Sequence, residues 1–285
     1  MKKLLLLAVF GTLVSGLQAQ NPFIGYQSDK TTGVAVHEFS ASATVVTLTQ
    51  GGKLDSLWIG KNGLTGVSED TLTATPTTRR NNLEIGFDFP FAGKTMKYYG
   101  LTAGGMVFFG ERDSLAPAVN INNQVDTKSA DYVHFLLSCY NSTTVQGQIR
   151  WKSYPLKAGE NAYVRYETVQ DTLFIGYENL QGVDKFGNTL TFSFQYAFDK
   201  NGKLSFRPVS MEPQVAHNAS TGAYYWVYTW GLVGKPGMLT SDLLYIKADG
   251  TSQTSRTYLE ITQTSHPLAG ESYTFFPPAP CAAVA

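Results

Sequence analysis

The feature that most constrains this chain is a strict alternation of large apolar residues with polar or small ones. In Leu83-Glu84-Ile85-Gly86-Phe87-Asp88-Phe89-Pro90-Phe91 every odd position is large and apolar. Leu190-Thr191-Phe192-Ser193-Phe194-Gln195-Tyr196-Ala197-Phe198 repeats the pattern at even positions. Successive side chains of a strand point to opposite faces, so each segment suits a strand that buries one face. Further strands are predicted at 44–49, 106–109, 132–137, 162–168, 172–177, 203–207, 224–232, 243–248, 257–262 and 272–276. Turn chemistry separates them: Asp199-Lys200-Asn201-Gly202 carries the Asn-Gly pair of type I′ hairpins, and Lys185-Phe186-Gly187-Asn188 and Asp249-Gly250 mark other reversals. No run places apolar residues at helical spacing between proper caps. The expectation is one all-β, jelly-roll-like antiparallel β-sandwich over residues 20–276.

The ends read differently. Met1-Lys2-Lys3, the apolar residues 4–17 and the small-residue end Leu17-Gln18-Ala19 predict a secretory signal peptide over 1–19, cleaved after Ala19. Its apolar stretch is too short for a permanent span of a bilayer about 30 Å thick, and no second long apolar run follows. No cysteine follows the apolar stretch, so a lipid anchor is not expected. An exported protein is therefore predicted, extracellular, on the outer cell surface or periplasmic. Residues 277–285, Pro-Pro-Ala-Pro-Cys-Ala-Ala-Val-Ala, have the composition of a linker or tail.

Composition narrows the function classes. Lys+Arg and Asp+Glu both number 22, so the net charge is zero and the basic excess of a nucleic-acid binder is missing. Charged residues make up 15% and hydrophobic ones 43%, which argues against disorder. Nucleic acid is not an expected partner. Neither is a cofactor or a metal. His37, His134, His217 and His266 are scattered, and His37-Glu38-Phe39-Ser40-Ala41 lacks the second histidine of a zinc-protease motif. No nucleophile elbow and no phosphate loop occur, so the reading leans away from an enzyme. Glu111 with Asp113, or Glu167 with Glu178, are candidate glycosidase pairs, with solvated strand and loop acids as the simpler account. Asp126 with Asp131, or the Asp199-Lys200-Asn201 stretch, lack the loop pattern of a calcium site, and turn formation explains them better.

Two features bear on binding and stability. In Tyr224-Tyr225-Trp226-Val227-Tyr228-Thr229-Trp230, a strand puts Tyr224, Trp226, Tyr228 and Trp230 on one face. That face is either core or a platform for sugars or a partner protein. Cys139 and Cys281 either pair as a disulfide in an oxidising compartment or leave Cys139 simply buried.

Leu83 to Lys94, followed by Tyr98-Tyr99-Gly100-Leu101-Thr102-Ala103-Gly104-Gly105-Met106-Val107-Phe108-Phe109-Gly110, resembles a recurrent block. The block belongs to the β-sandwich module at the front of secreted and surface proteins of Bacteroidota-type bacteria. A looser match runs from Tyr163-Val164-Arg165-Tyr166-Glu167-Thr168 to Leu190-Thr191-Phe192-Ser193-Phe194-Gln195. Gly104 departs from the family, which usually has Asn there. The resemblance implies a sandwich fold, export, and an adhesion or accessory role ahead of fibronectin type III repeats, a peptidase or a sorting domain. Ser56, Thr71, Ser114 and Thr172, each between Asp and Leu, also resemble the O-glycosylation acceptors of that bacterial group. The function expected is a non-catalytic module binding glycans or a host or matrix protein. The alternatives are an accessory domain orienting a downstream enzyme or repeat array, and a hydrolase of exported carbohydrate or peptide.

Overall fold

The alternating segments line up as two open antiparallel sheets that face one another. A computed structural model describes residues 23–52, 54, 57–60, 63–66, 82–112, 118–119, 125–126, 132–141, 151–152, 156–183, 189–211, 224–233, 243–254, 259–261 and 266–278. The expected signal peptide and the end of the tail lie outside them. The strands begin with β1 (Gln27–Thr32), β2 (Thr44–Thr47), β3 (Leu57–Gly60), β4 (Gly63–Gly66), β5 (Leu83–Phe91), β6 (Lys94–Thr102) and β7 (Met106–Gly110). Then come β8 (Ala118–Val119), β9 (Val125–Asp126), β10 (Tyr132–Asn141), β11 (Trp151–Lys152), β12 (Lys157–Val169), β13 (Thr172–Val183), β14 (Thr189–Asp199) and β15 (Leu204–Met211). The last are β16 (Tyr224–Val233), β17 (Leu243–Ile246), β18 (Ser252–Gln253), β19 (Leu259–Ile261) and β20 (Glu271–Phe276). No helix occurs among the described residues.

One sheet has seven strands in the order β1-β20-β15-β14-β13-β12-β2. The other has eleven: the path β18-β17-β16-β10-β7-β6-β3-β4, with β5 on β6, β11 on β10 and β19 on β16. β8 and β9 pair only with each other. The meander β12 to β15 follows from its turns. Gln170 and Asp171 both take positive φ, 47° and 61°, as a two-residue hairpin turn requires. The Asp199–Gly202 turn differs from the type I′ expectation, because only Gly202 takes positive φ (82°). The Asp199 carboxylate accepts from the Asn201 and Lys203 amides, and Gly202 N donates to Asp199 O. An aspartate that anchors its own turn favours the three-residue loop with a left-handed glycine.

The core is aromatic. Phe89 of β5 lies 4.9 Å from Phe109 of β7, which meets Phe198 of β14 at 5.3 Å. Tyr196 continues the line to Trp230 of β16 at 5.1 Å, and Trp230 reaches Phe275 of β20 at 5.8 Å. Rings from the two sheets thus interdigitate, each such pair contributing about 0.5–1.5 kcal/mol beyond burial. Two hydroxyls cross the interface: Tyr196 Oη donates to Gly105 O at 2.7 Å and Tyr177 Oη to Thr102 O at 3.2 Å.

Candidate polar face beneath a strap

β1 and β2 are the opposite edges of the seven-stranded sheet, yet only residues 33–43 connect them. Six strand spacings span about 29 Å, and eleven extended residues reach about 36 Å. The segment must therefore run nearly straight across the outer face, as a strap. It covers Gln195 of β14, a strand whose other face already lies in the core, and Ser193 and Ala197 on the same face as Gln195 are buried too.

Side chains of four strands hold the strap. On β15, the Arg207 guanidinium donates to Ala35 O at 3.5 Å. On β14, the Gln195 amide accepts from His37 N at 2.8 Å and donates to His37 O at 3.0 Å, pairing with it as a neighbouring strand would. On β13, Phe174 stacks on the His37 ring with centroids 3.8 Å apart and planes 9° apart. Phe39 lies over Gly176, where an added Cβ would meet its Cε2 at 2.7 Å. On β12, Glu167 faces His37 Nε2 at 2.7 Å and accepts from Ser40 N at 2.9 Å and Ser40 Oγ at 2.5 Å. Burial pushes the Glu167 carboxyl up, but the Ser40 and His37 hydrogen bonds outweigh it and hold it below its ordinary value.

Serine, histidine and glutamate meet here, but in an order that disfavours nucleophilic chemistry. A nucleophilic serine must give its proton to the imidazole, which the acid then supports. Here the carboxylate sits in the middle and takes both groups, so Ser40 and His37 each point at Glu167. The cluster acts as a latch on the strap. The Glu167 and Glu178 pair also fails the test of spacing. Tyr163 faces Glu178 and Glu167 faces Phe174 in one unbroken register. Four residues along a strand put the carboxylates about 13 Å apart, beyond the 5–9.5 Å or so that glycoside hydrolysis uses.

One row crosses five strands of the sheet, with its middle beneath the strap, where His37 pairs with Gln195 and Phe39 lies over Gly176. Val45, Arg165, Gly176, Gln195 and Arg207 are successive ladder partners on β2, β12, β13, β14 and β15. The Arg165 guanidinium lies 4.4 Å over the Tyr163 ring, and the Tyr163 hydroxyl donates to Glu178. Burial, the Glu178 hydrogen bond and the Glu178 charge raise the Tyr163 phenol, against an opposing effect of Arg165. Tyr163, Arg165, Glu178 and Arg207 are all half-buried.

The other expected residues fall as follows. Trp230 is 1% exposed and packed among Tyr196, Phe206 and Phe275. It is a core residue and not a ligand contact, because its ring closes the gap between the sheets. Tyr224, Trp226 and Tyr228 lie on β16, which runs between β10 on one side and β17 and β19 on the other, and their side chains lie outside the described residues. Thr172 opens β13 half-buried behind the exposed Asp171, while Ser56, Thr71 and Ser114 lie outside the described residues. So do Cys281, the side chain of Cys139 on β10, Asp113, Asp131 and His217. Glu111 is exposed. Among the described residues no group of three or more His, Cys, Asp or Glu is placed to hold a metal ion.

Tyr163, Arg165 and Arg207 were not singled out in the sequence. The signal was present: β12 alternates Ala162, Val164 and Tyr166 with Tyr163, Arg165 and Glu167, and Gly176 interrupts a β-branched and aromatic strand. A glycine in mid-strand marks a close approach from outside. Comparison with protein-family models, curated proteins and solved structures finds no match to this chain.

Proposed function

We propose that this chain is an exported, non-catalytic binding or adhesion module that holds a glycan or an extracellular protein on the outer face of its seven-stranded sheet. The observation carrying this reading is the group Tyr163, Arg165, Glu178 and Arg207, half-buried polar side chains set on rigid strands beside the strap. Aromatic, guanidinium and carboxylate groups on fixed strands suit recognition, since their geometry is set before a partner arrives. The signal-peptide reading and the Bacteroidota-type resemblance support export and an adhesion role. The Asp-Ser/Thr-Leu positions, Thr172 among them, fit a glycosylated surface. The test is a screen of the purified chain on glycan and extracellular-matrix arrays, beside a Tyr163→Ala variant with an unchanged melting temperature. Binding that disappears in the folded variant supports the reading. Silence from the unmodified chain on every array overturns it.

A second reading is an accessory domain that orients a downstream enzyme or repeat array. One observation favours it: a Cβ at Gly25 would lie 3.1 Å from Pro278 Cβ, so the first and last described segments lie side by side. Attachment at one pole suits a side module, and array silence would favour it.

A further inference from the structure

We infer that the ligand of this face is an acidic saccharide, bearing uronate or sulfate groups, laid alongside the strap from Arg165 to Arg207. The inference deepens the binding-module reading and rests on it. The two arginines occupy one cross-strand row, three strand spacings or about 14 Å apart. Neither has a carboxylate partner among the described residues. Ion pairs do form elsewhere: Glu167 has His37, Lys30 has Glu271 at 2.6 Å, and Lys200 has Asp171 at 2.5 Å. Instead the guanidinium groups rest on rings, Arg165 over Tyr163 and Arg207 6.0 Å from the Phe174 centroid. The Nε atoms of both are buried without a hydrogen-bond partner. Half-buried guanidinium forks that lack an anion are matched by the planar oxygens of a carboxylate or sulfate.

The surface beside the strap suits a sugar better than a peptide. Between the arginines the strap covers the row, with His37 paired to Gln195 and the half-buried Phe39 ring over Gly176, so apolar ring and backbone border the path. The next row adds the exposed hydroxyl of Thr47, opposite Tyr163, and the exposed hydroxyl of Ser210, opposite Ser193. Hydroxyls on the ligand find partners there. Negative charge is present as well, in the exposed Glu38 and Glu160 and the half-buried Glu178. Glu178 is partly occupied by the Tyr163 hydroxyl, and it sets a sign that a test can read.

The test titrates the purified chain with polygalacturonate and its neutral methyl ester, with dextran sulfate and dextran, and with poly-glutamate. The expected result is binding of both charged glycans, at least about tenfold weaker binding of each neutral counterpart, and affinity that falls with salt. Arg165→Ala and Arg207→Ala, with melting temperatures unchanged, should each lose about tenfold, and Glu178→Gln should bind the charged glycans more tightly. If an arginine variant does not fold, the charged-against-neutral comparison on the unmodified chain still decides. Equal binding of charged and neutral members overturns the inference, as does poly-glutamate binding as tightly as the glycans. A neutral array glycan bound while every anionic probe is ignored overturns it and leaves the module reading standing. Silence on the arrays and in the titrations sinks both.

Discussion

Gly176 shows how one residue type ties the outer face to the strap. Its missing side chain is the room that Phe39 occupies, so Gly176→Ala forces the ring away from contacts at 2.7 and 3.0 Å. The expected cost is about 1–3 kcal/mol, as for other overpacked sites, read by chemical denaturation. Amide exchange should quicken across residues 36–41, and a variant as stable as the parent would show that Phe39 turns aside freely. Trp230 makes the opposite case. Its ring fills the gap between the sheets while its Nε1 has no partner. Trp230→Ala should cost about 3–5 kcal/mol, and Trp230→Phe clearly less, since it keeps an aromatic ring and removes an unpaired donor. A Phe variant as damaging as the Ala variant would be the contrary outcome. Among residues, Trp230 was legible only as one of two alternatives. A strand face of aromatic rings looks the same whether it packs or binds, and the facing sheet decides.

The strap is the element on which acid sensitivity turns. Because hydrogen bonds hold the folded Glu167 carboxyl below its ordinary value, its contribution is present above the unfolded value of about 4.3. That contribution fades as pH falls through the lower folded value. Glu167→Gln should therefore lower the melting temperature near pH 7, by about 1–2 kcal/mol of stability. The gap from the parent should narrow near pH 3. A gap that widens on acidification would refute the latch. Elements were unevenly readable. Leu83–Phe91 matches β5 in full and the run from Leu190 to Phe198 sits inside β14, since one face of each is core. β1, Gln-Ser-Asp-Lys-Thr-Thr, shows no apolar alternation, because an edge strand with mostly exposed side chains has no core face to display. The Asn201-Gly202 turn took another type because the Asp199 carboxylate, two residues earlier, chose the local hydrogen bonds.

For the molecule as a whole, the aromatic line from Phe89 to Phe275 means that neither sheet has a core of its own. Unfolding should be one transition, with calorimetric and van't Hoff enthalpies in agreement. Two separated transitions would show that the sheets fold apart. Tyr196→Phe, which strands the Gly105 carbonyl, should lower the stability of that single transition by about 1–2 kcal/mol without splitting it. The sequence by itself determined that this chain is all-β with antiparallel strands, because period-two alternation and turn residues act over a few positions and are written locally. The tertiary structure alone decided that Trp230 is core, that Gln195 is roofed by the strap, and that Arg165 and Arg207 share a row. Those outcomes depend on β1 and β2 taking opposite edges of one sheet. Strand order is settled by contacts between residues far apart in the chain, and no local pattern encodes it.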